Sequence, residues 1–296
     1  TAADAATTAA DAASTAASAA EQAASEITTT LFAITAGSTI NGASESEFTT
    51  LLTSENDGHI SITNQNFVLQ SGTLSVETAN ELNATTSGTI TATITSSSVA
   101  SLTELEGTNA YTIKIEGTDA TAATASQLTT INNATTVAVD ASEVTGLETD
   151  SISNIKTLLE AGNDTAQFTG ESFSLLEAVA VSDSTLDVTE LNDAITLVNS
   201  ATSGANTVFN IGSGITINNG TENDFTTLIS NTSQLSITDQ NLIIDSGTIT
   251  VENARAFSGA TEGNVTATIT SGSSIAAMLD ETTGLIESDS YTITIS

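Results

Sequence analysis

The sequence predicts a mainly β protein: an elongated, β-solenoid-like array of repeats with short flanking helices, preceded by an alanine-rich helix. Three observations predict this fold. Residues 37–115 and 214–295 match each other closely. Both segments contain short runs of alternating apolar and polar residues, which are typical of half-buried strands, separated by Gly, Ser and Asn turns. The first 25 residues contain alanine pairs at regular intervals, a pattern typical of a helix.

The N-terminal segment, residues 1–26, is predicted to be a heptad helix. Its alanine pairs recur at steps of three and four residues, which places one alanine of each pair on the same face. Alanine is the best helix former, and its small side chain lets helix backbones approach closely. We expect a stalk or a contact between subunits; a lone surface helix and a disordered linker are the alternatives. The predicted assembly residues are Ala2, Ala5, Ala9, Ala12, Ala16, Ala19 and Ala23.

An internal repeat organises the rest of the chain. The segment TINGASESEFTTLL at 39–52 matches TINNGTENDFTTLI at 216–229. Self-similarity of this kind is typical of stacked repeat architectures. The further aligned pairs are Phe48 with Phe225, 60–77 with 235–252, 87–96 with 262–271, and Tyr111 with Tyr291.

The repeat suggests four segments. The second copy ends on a predicted strand, so we expect it to continue beyond residue 296, and the chain begins with Thr1 rather than Met. Both facts favour a processed chain or a piece of a longer array. The predicted segments are the heptad helix at 1–26, the first β-repeat copy at 27–115, intermediate strands and short helices at 116–213, and the second β-repeat copy at 214–296.

Within the copies, strands and short helices are expected to alternate. Ile90, Ala92 and Ile94 show the period-two pattern of a half-buried strand. The amphipathic stretches 125–132 and 188–198 predict short helices. Capping boxes, in which a side chain at the start of a helix and another three residues later satisfy free amides, are predicted at Ser44 with Glu47, Asp140 with Glu143, Asp187 with Glu190, and Thr221 with Asp224.

The charge balance limits the partners. There are 36 acidic residues against three basic ones, for a formal net charge of −33. Such a chain repels nucleic acid and anionic membranes, and no run reaches the roughly 18 apolar residues of a membrane span. We therefore expect no nucleic-acid partner and no membrane insertion. No cofactor is predicted; diffuse calcium binding is left open, although Asp239 and Asp245 are replaced by Asn64 and Gln70 in the first copy.

The sequence does not predict an enzyme. It has no cysteine, its single histidine is His59, and Walker, Rossmann and HExxH motifs are absent. His59 has no counterpart in the second copy, which favours an exposed loop residue. A polysaccharide lyase would need basic residues to neutralise an anionic substrate, and the chain has three.

Several rows resemble the repeats of very large cell-surface proteins of marine cyanobacteria, including the swimming-associated type, and repeats of marine phage fibre and structural proteins. These rows are TITATITSSS at 89–98, NAYTIKIEGTDATAATASQLTTIN at 109–132, TTVAVDASEVTGL at 135–147 and VSDSTLDVTELNDA at 181–194. The resemblance implies an extracellular scaffold on a cell surface or virion, and it implies no catalytic residue.

The expected function is therefore structural. We expect a subunit or segment of an extracellular filament, surface layer or virion fibre that assembles with itself through its helix and its strand ends, because open strand edges tend to pair. The alternative is an adhesin or receptor-binding fibre module that recognises a cell-surface ligand. Residues 53–59, TSENDGH, differ from 230–234, SNTSQ, as a recognition loop would.

Overall fold

Helices and strands alternate along the chain, and every recorded strand pair is parallel. The computed structural model describes residues 2–28, 32–95, 98–170, 172–201, 207–270, 274–280, 284–286 and 288–293.

The helices are mostly short, and most begin at a serine or threonine. Side-chain oxygens of Ser75, Ser98, Ser151 and Thr250 each accept a hydrogen bond from a backbone N–H in the first turn, which satisfies a donor that the helix leaves unpaired. Within the described ranges, the helices are α1 (Ala2–Thr28), α2 (Glu45–Asn56), α3 (Val76–Thr85), α4 (Val99–Leu102), α5 (Ala125–Asn133), α6 (Ile152–Gly162), α7 (Val188–Ala201), α8 (Glu222–Ser230), α9 (Val251–Ala260) and α10 (Ile275–Met278), with a 3-10 helix at Gly117–Thr121.

Most strands have only two to five residues. Within the same ranges they are β1 (Phe32–Ala33), β2 (Thr39–Gly42), β3 (Ile60–Ser61), β4 (Asn66–Leu69), β5 (Ile90–Thr93), β6 (Ala110–Thr112), β7 (Gly146–Asp150), β8 (Ala178–Val181), β9 (Thr185–Asp187), β10 (Val208–Asn210), β11 (Thr216–Asn218), β12 (Asn241–Ile249), β13 (Val265–Ile269) and β14 (Ser290–Ile293).

The strands form several short parallel sheets. The orders are β1-β3, β2-β4-β5-β6, β10-β8-β7 and β14-β13-β12-β11-β9. Parallel neighbours need a crossover between them, and most crossovers here contain a helix, as in other βαβ units.

The predicted mainly β, β-solenoid-like fold is wrong. Among the described residues, more are helical than are in strands, so the fold is α/β with short parallel sheets. Stretches rich in Gly, Ser and Asn were interpreted as turns, but helices begin at serines such as Ser75, Ser98 and Ser151. Helix α6 shows the error, since Ile152, Ile155 and Leu158 are buried at helical spacing.

The chain divides into two compact units. One comprises Thr1–Thr95 with Leu105–Tyr111, and the other comprises Ser96–Glu104 with Thr112–Ser296. In the first unit, α2 packs on α3, and the rings of Phe48 and Phe67 meet edge to face at 5.5 Å between centroids. In the second unit, each helix from α4 to α9 packs on the next one along the chain. The four predicted segments stay a prediction.

The two repeat copies contain matching elements in the same order. Strands β2, β4, β5 and β6 correspond to β11, β12, β13 and β14, and helices α2 and α3 correspond to α8 and α9. Phe48 and Phe225 are both fully buried, as their alignment predicts. Tyr111 is also fully buried, whereas Tyr291 is half-buried. Helix α2 is three residues longer than α8, having 12 residues rather than nine.

The short helices predicted at 125–132 and 188–198 are confirmed as α5 and α7. Of the predicted capping boxes, Thr221 with Asp224 is complete. Asp187 accepts from the backbone N–H of Glu190 at the start of α7.

The two other predicted boxes differ from the structure. Ser44 occupies the N-cap position of α2 without a side-chain cap bond, although Glu47 accepts from the backbone N–H of Ala43. The box at Asp140 is wrong. Asp140 closes a turn by accepting from the N–H of Ser142, and Glu143 pairs with Lys114 at 2.6 Å. The backbones of Asp140 and Lys114 form an isolated parallel β-bridge. The backbone at Asp140 is therefore extended and does not start a helix.

Candidate assembly surfaces

Helix α1 exposes its side chains to solvent. It spans 27 residues, and every side chain described on it, at position 5 and at 7–22, is exposed. The structure therefore confirms the helix, and the assembly role of its alanines stays a prediction. The predicted residues Ala5, Ala9, Ala12, Ala16 and Ala19 are all exposed, whereas the side chains of Ala2 and Ala23 lie outside the described ones.

These five exposed alanines, called the alanine seam below, lie on one face of α1 because residues three and four apart are neighbours on a helix. The opposite face of the heptad carries Thr7, Ser14 and Glu21. Thr15 donates its hydroxyl to the carbonyl of Asp11 at 2.9 Å, a local bond along the helix. Helices in proteins gain most of their stability from packing against other elements. The alanine seam is the face on which the backbone of a partner helix can approach most closely.

Strand β14 ends the five-stranded sheet, with β13 as its neighbour on one side. The hydroxyl of Tyr291 donates to Asp289 Oδ2 at 2.8 Å. Burial, together with this contact to a carboxylate, raises the pKa of Tyr291. The next inward residue, Ile293, is 41% exposed. Among the described residues, no strand pairs with the other edge of β14.

Strand β2 ends the four-stranded sheet in the same way, with β4 as its recorded neighbour. Its inward residue Ile40 is half-buried. The matching residue Ile217 in β11 is fully buried. The two copies therefore differ in how well these equivalent strands are covered.

Carboxylates stabilise several helix starts across neighbouring elements. Glu45 accepts from the backbone N–H and the hydroxyl of Ser75, at 3.0 and 2.5 Å. In the second copy, Glu222 accepts from the N–H of Thr250 at 2.8 Å and from Asn253 Nδ2 at 2.7 Å. The aligned positions Glu45 and Glu222 thus do the same task in both copies.

These hydrogen bonds shift the pKa values of the carboxyls. The hydroxyl of Ser75 is the main cause that lowers the pKa of Glu45. Burial would raise the pKa of Glu222, but its bonds with Thr250 and Asn253 outweigh burial and lower it. Asp150 shows the same balance, since its bonds from Asn154 and Ser126 outweigh burial and lower its pKa.

The side chains that the sequence analysis weighed for catalysis or calcium binding lie at the surface. His59 is exposed after the turn that follows α2. Asp239 accepts from the hydroxyl of Ser213, and Asp245 accepts from the N–H of Asn219 at 3.3 Å. Within the described ranges, no three His, Cys, Asp or Glu side chains converge as a metal site requires. Calcium binding stays a prediction.

Three recorded grooves in the second unit are small. Their volumes are about 230, 280 and 100 Å³, below the roughly 300–1,000 Å³ that is typical of small-molecule pockets. The first is lined by Phe209, Asp239 and Gln240 among others. In the part of the chain that the structure describes, no helix combines the length and the apolar character needed to cross a bilayer.

Two of these surface features were not named from the sequence. The role of Ile40 depends on the order of strands in its sheet, and the roles of Glu45 and Glu222 depend on hydrogen bonds to the next helix along the chain. The alignment of Glu45 with Glu222 is the sequence signal from which the shared role of these two carboxylates could have been predicted. Comparisons with protein-family models, with characterised proteins and with solved structures found no match.

Proposed function

We propose that this chain is a structural subunit or segment of an extracellular filament, surface layer or virion fibre, and that it associates with copies of itself. The observation that carries the proposal is helix α1, a 27-residue helix whose described side chains are all exposed. Because a helix without packing partners is only marginally stable in water, such a helix gains stability when a partner covers its seam. The proposal assigns the chain no catalytic role and no nucleic-acid partner.

The resemblance to cell-surface and phage repeats supports the same role, and it is the basis for the extracellular location. The surface chemistry agrees with it: 13% of residues are charged, and Ser, Thr, Asn and Gly are abundant. With a net charge of −33, this surface disfavours recognition of an anionic polymer such as nucleic acid.

Adhesion is the second candidate, and one observation favours it. The copies differ where α2 extends beyond α8, and residues 57–59, which follow this extension, are exposed. An adhesin would bind its cell-surface ligand even as a single chain, whereas the structural role requires self-association.

The test places charge on the alanine seam. The double variant Ala9→Asp with Ala16→Asp buries two carboxylates if the seam is the contact, and burial of an unpaired charge is unfavourable. We expect self-association, followed by sedimentation velocity and light scattering, to weaken by roughly tenfold or more, about 1.4 kcal/mol per factor of ten.

The matched control is Thr7→Asp with Ser14→Asp, which adds the same charge to the opposite face of the same helix. It should associate nearly as the unmodified chain does. Equal effects from the two pairs would show that net charge, and not the seam, controls association. A chain that stays monomeric at all concentrations would refute the structural role.

A further inference from the structure

Hydroxyl groups cover the outward face of the sheet in the second repeat copy. On β13, the side chains of Val265, Ala267 and Ile269 are buried, so the residues that alternate with them point to the opposite face of the sheet. On β14, Ser290 and Thr292 are exposed. The set, called the threonine array below, comprises the exposed Thr248, Thr266, Thr270, Ser290 and Thr292 and the half-buried Thr268.

The threonine array has two regular spacings. Thr266 lies opposite Ser290, and Thr268 lies opposite Thr292, in parallel register. Neighbouring strands are about 4.8 Å apart, and alternate residues of one strand are about 6.6 Å apart. Because threonine is branched at its β-carbon, its side chain is stiff at χ1, and its hydroxyl and methyl groups keep these spacings. A partner with a repeating surface can therefore contact several members of the array at once.

Several hydroxyls of the array are open to a partner. Thr270 donates its hydroxyl to the backbone at Ile249 O, 2.9 Å away, and its Oγ1 lies 3.3 Å from Thr248 Oγ1. Among the residues that the structure describes, the hydroxyls of Thr266, Thr268 and Thr292 bond to no other group of the protein. These three hydroxyls can donate and accept hydrogen bonds across the surface of the sheet.

The first copy carries four of the same threonines, and all four are exposed. The aligned pairs are Thr73 with Thr248, Thr91 with Thr266, Thr93 with Thr268, and Thr95 with Thr270. Other exposed positions change between the copies: Gln70 and Ser87 are replaced by the acids Asp245 and Glu262. An exposed set that stays the same while nearby exposed positions change indicates a shared contact surface.

The chemistry of the array limits the kind of partner. Its members carry no charge and no aromatic ring, although the chain has a net charge of −33. Charged ligands are held by charged groups, and the flat surfaces of crystalline polysaccharides are held by exposed aromatic rings that stack on the sugars. The surface of ice requires neither. It is an uncharged lattice of water molecules that hydrogen-bond with hydroxyls, and its oxygens repeat at nearly the spacing of neighbouring strands.

We propose that the threonine array and its four counterparts in the first copy bind the surface of ice. The hydroxyls bond to water molecules of the lattice, and the methyl groups lie in the spaces between those molecules. Because the threonine side chains are already stiff, little side-chain freedom is lost on contact. A single chain can make this contact, so the inference goes beyond the proposed self-association and does not depend on it.

Partition into slowly grown ice tests the proposal. A polycrystalline ice shell is grown on a cooled probe from a dilute solution of the full chain and a labelled reference protein that does not bind ice. Advancing ice excludes solutes that do not bind, so the ratio of chain to reference protein in the ice measures binding. We expect the unmodified chain to be enriched. The double variant Thr91→Lys with Thr266→Lys places a long charged side chain in each copy and should fall to the level of the reference protein.

The matched control is Thr50→Lys with Thr227→Lys. These exposed threonines occupy aligned positions on α2 and α8, so the same charge is added to each copy away from the array, and enrichment in ice should persist. Circular dichroism melting compares the folding of both pairs. If the array lysines lower the melting temperature, Thr91→Asn with Thr266→Asn takes their place, since the exposed Asn264 precedes Thr266 by two residues on the same face.

The remaining outcomes separate the inference from its rivals. Exclusion of the unmodified chain from ice overturns the inference, and so does an equal loss of enrichment in both lysine pairs, which would show an effect of charge alone. Retention on cellulose or chitin together with exclusion from ice would identify a polysaccharide partner instead. Sedimentation velocity of the same samples tests the proposed function separately. A chain that associates but is excluded from ice overturns the ice contact alone, whereas a monomeric chain that is enriched in ice supports the contact and refutes the self-association.

Discussion

Removing the carboxylate of Glu222 should destabilise the second repeat copy. Its Oε1 accepts from the backbone N–H of Thr250 at 2.8 Å and from Asn253 Nδ2 at 2.7 Å, at the start of α9. A hydrogen bond to a charged group contributes about 1.5–3 kcal/mol. Because Glu222 is half-exposed, water replaces part of both bonds in the variant. We therefore expect Glu222→Ala to lower the free energy of unfolding by about 1.5–3 kcal/mol in total, and not by twice that amount.

Urea unfolding followed by far-UV circular dichroism measures this loss, and Glu252→Ala is the matched control. Glu252 is an exposed acid in the first turn of the same helix, so its removal should cost only the helix-dipole contribution of about 0.3–1 kcal/mol. The reasoning would be refuted by equal losses from the two variants.

The pH dependence of the same variant has a defined sign. The pKa of Glu222 is lowered in the folded state. Its contribution is therefore fully present above the usual glutamate pKa of about 4.3 and is lost as the pH falls through the lower folded pKa. The stability difference between the unmodified chain and Glu222→Ala should accordingly shrink in acid. A difference that stays constant down to the lowest pH would contradict a charged acceptor.

Two further predictions concern the core and the turns. Phe48→Ala and Phe225→Ala should each destabilise their copy by about 3–5 kcal/mol, since both rings are fully buried; thermal melting checks this, and the exposed Thr50→Ala should change it little. A Cβ added at Gly263 would collide with the backbone of Gln240, whereas one added at Gly259 meets nothing within 4 Å. Gly263→Ala should therefore lower the melting temperature, and Gly259→Ala, within α9, should leave it unchanged or raise it slightly.

Local patterns in the sequence were sufficient to predict several elements. The alanine spacing predicted α1, the amphipathic stretches predicted α5 and α7, and the aligned rows predicted that Phe48 and Phe225 are both buried. Each of these depends on neighbours a few residues apart or on a direct match between copies. The complete capping box at Thr221 and Asp224 belongs to the same class.

The fold class was mispredicted because the strands are so short. In a stretch such as Ile90–Thr93, apolar and polar residues alternate clearly. Such stretches dominate the hydrophobic pattern of the sequence, although the residues between them form longer helices. The starts of those helices are marked by single serines and threonines, such as Ser75 and Ser151. These are hard to distinguish in a chain rich in both residues. Parallel partners lie far apart in sequence, as with Phe67 and Ile90, so no local signal gives their register.

Some acidic side chains stabilise helix starts, a role that the composition alone did not reveal. Three basic residues cannot pair with 36 acids, and the recorded ion pairs use Lys114 and Lys156. Other carboxylates, such as Glu45 and Glu222, accept hydrogen bonds at helix starts, where the helix dipole favours negative charge.

The remaining negative charge opposes association between copies, which restricts where two chains can touch. The alanine seam of α1 is built from uncharged residues. The same acidic composition that stabilises the helix starts at Ser75 and Thr250 would therefore direct the proposed self-association to surfaces from which acids are absent.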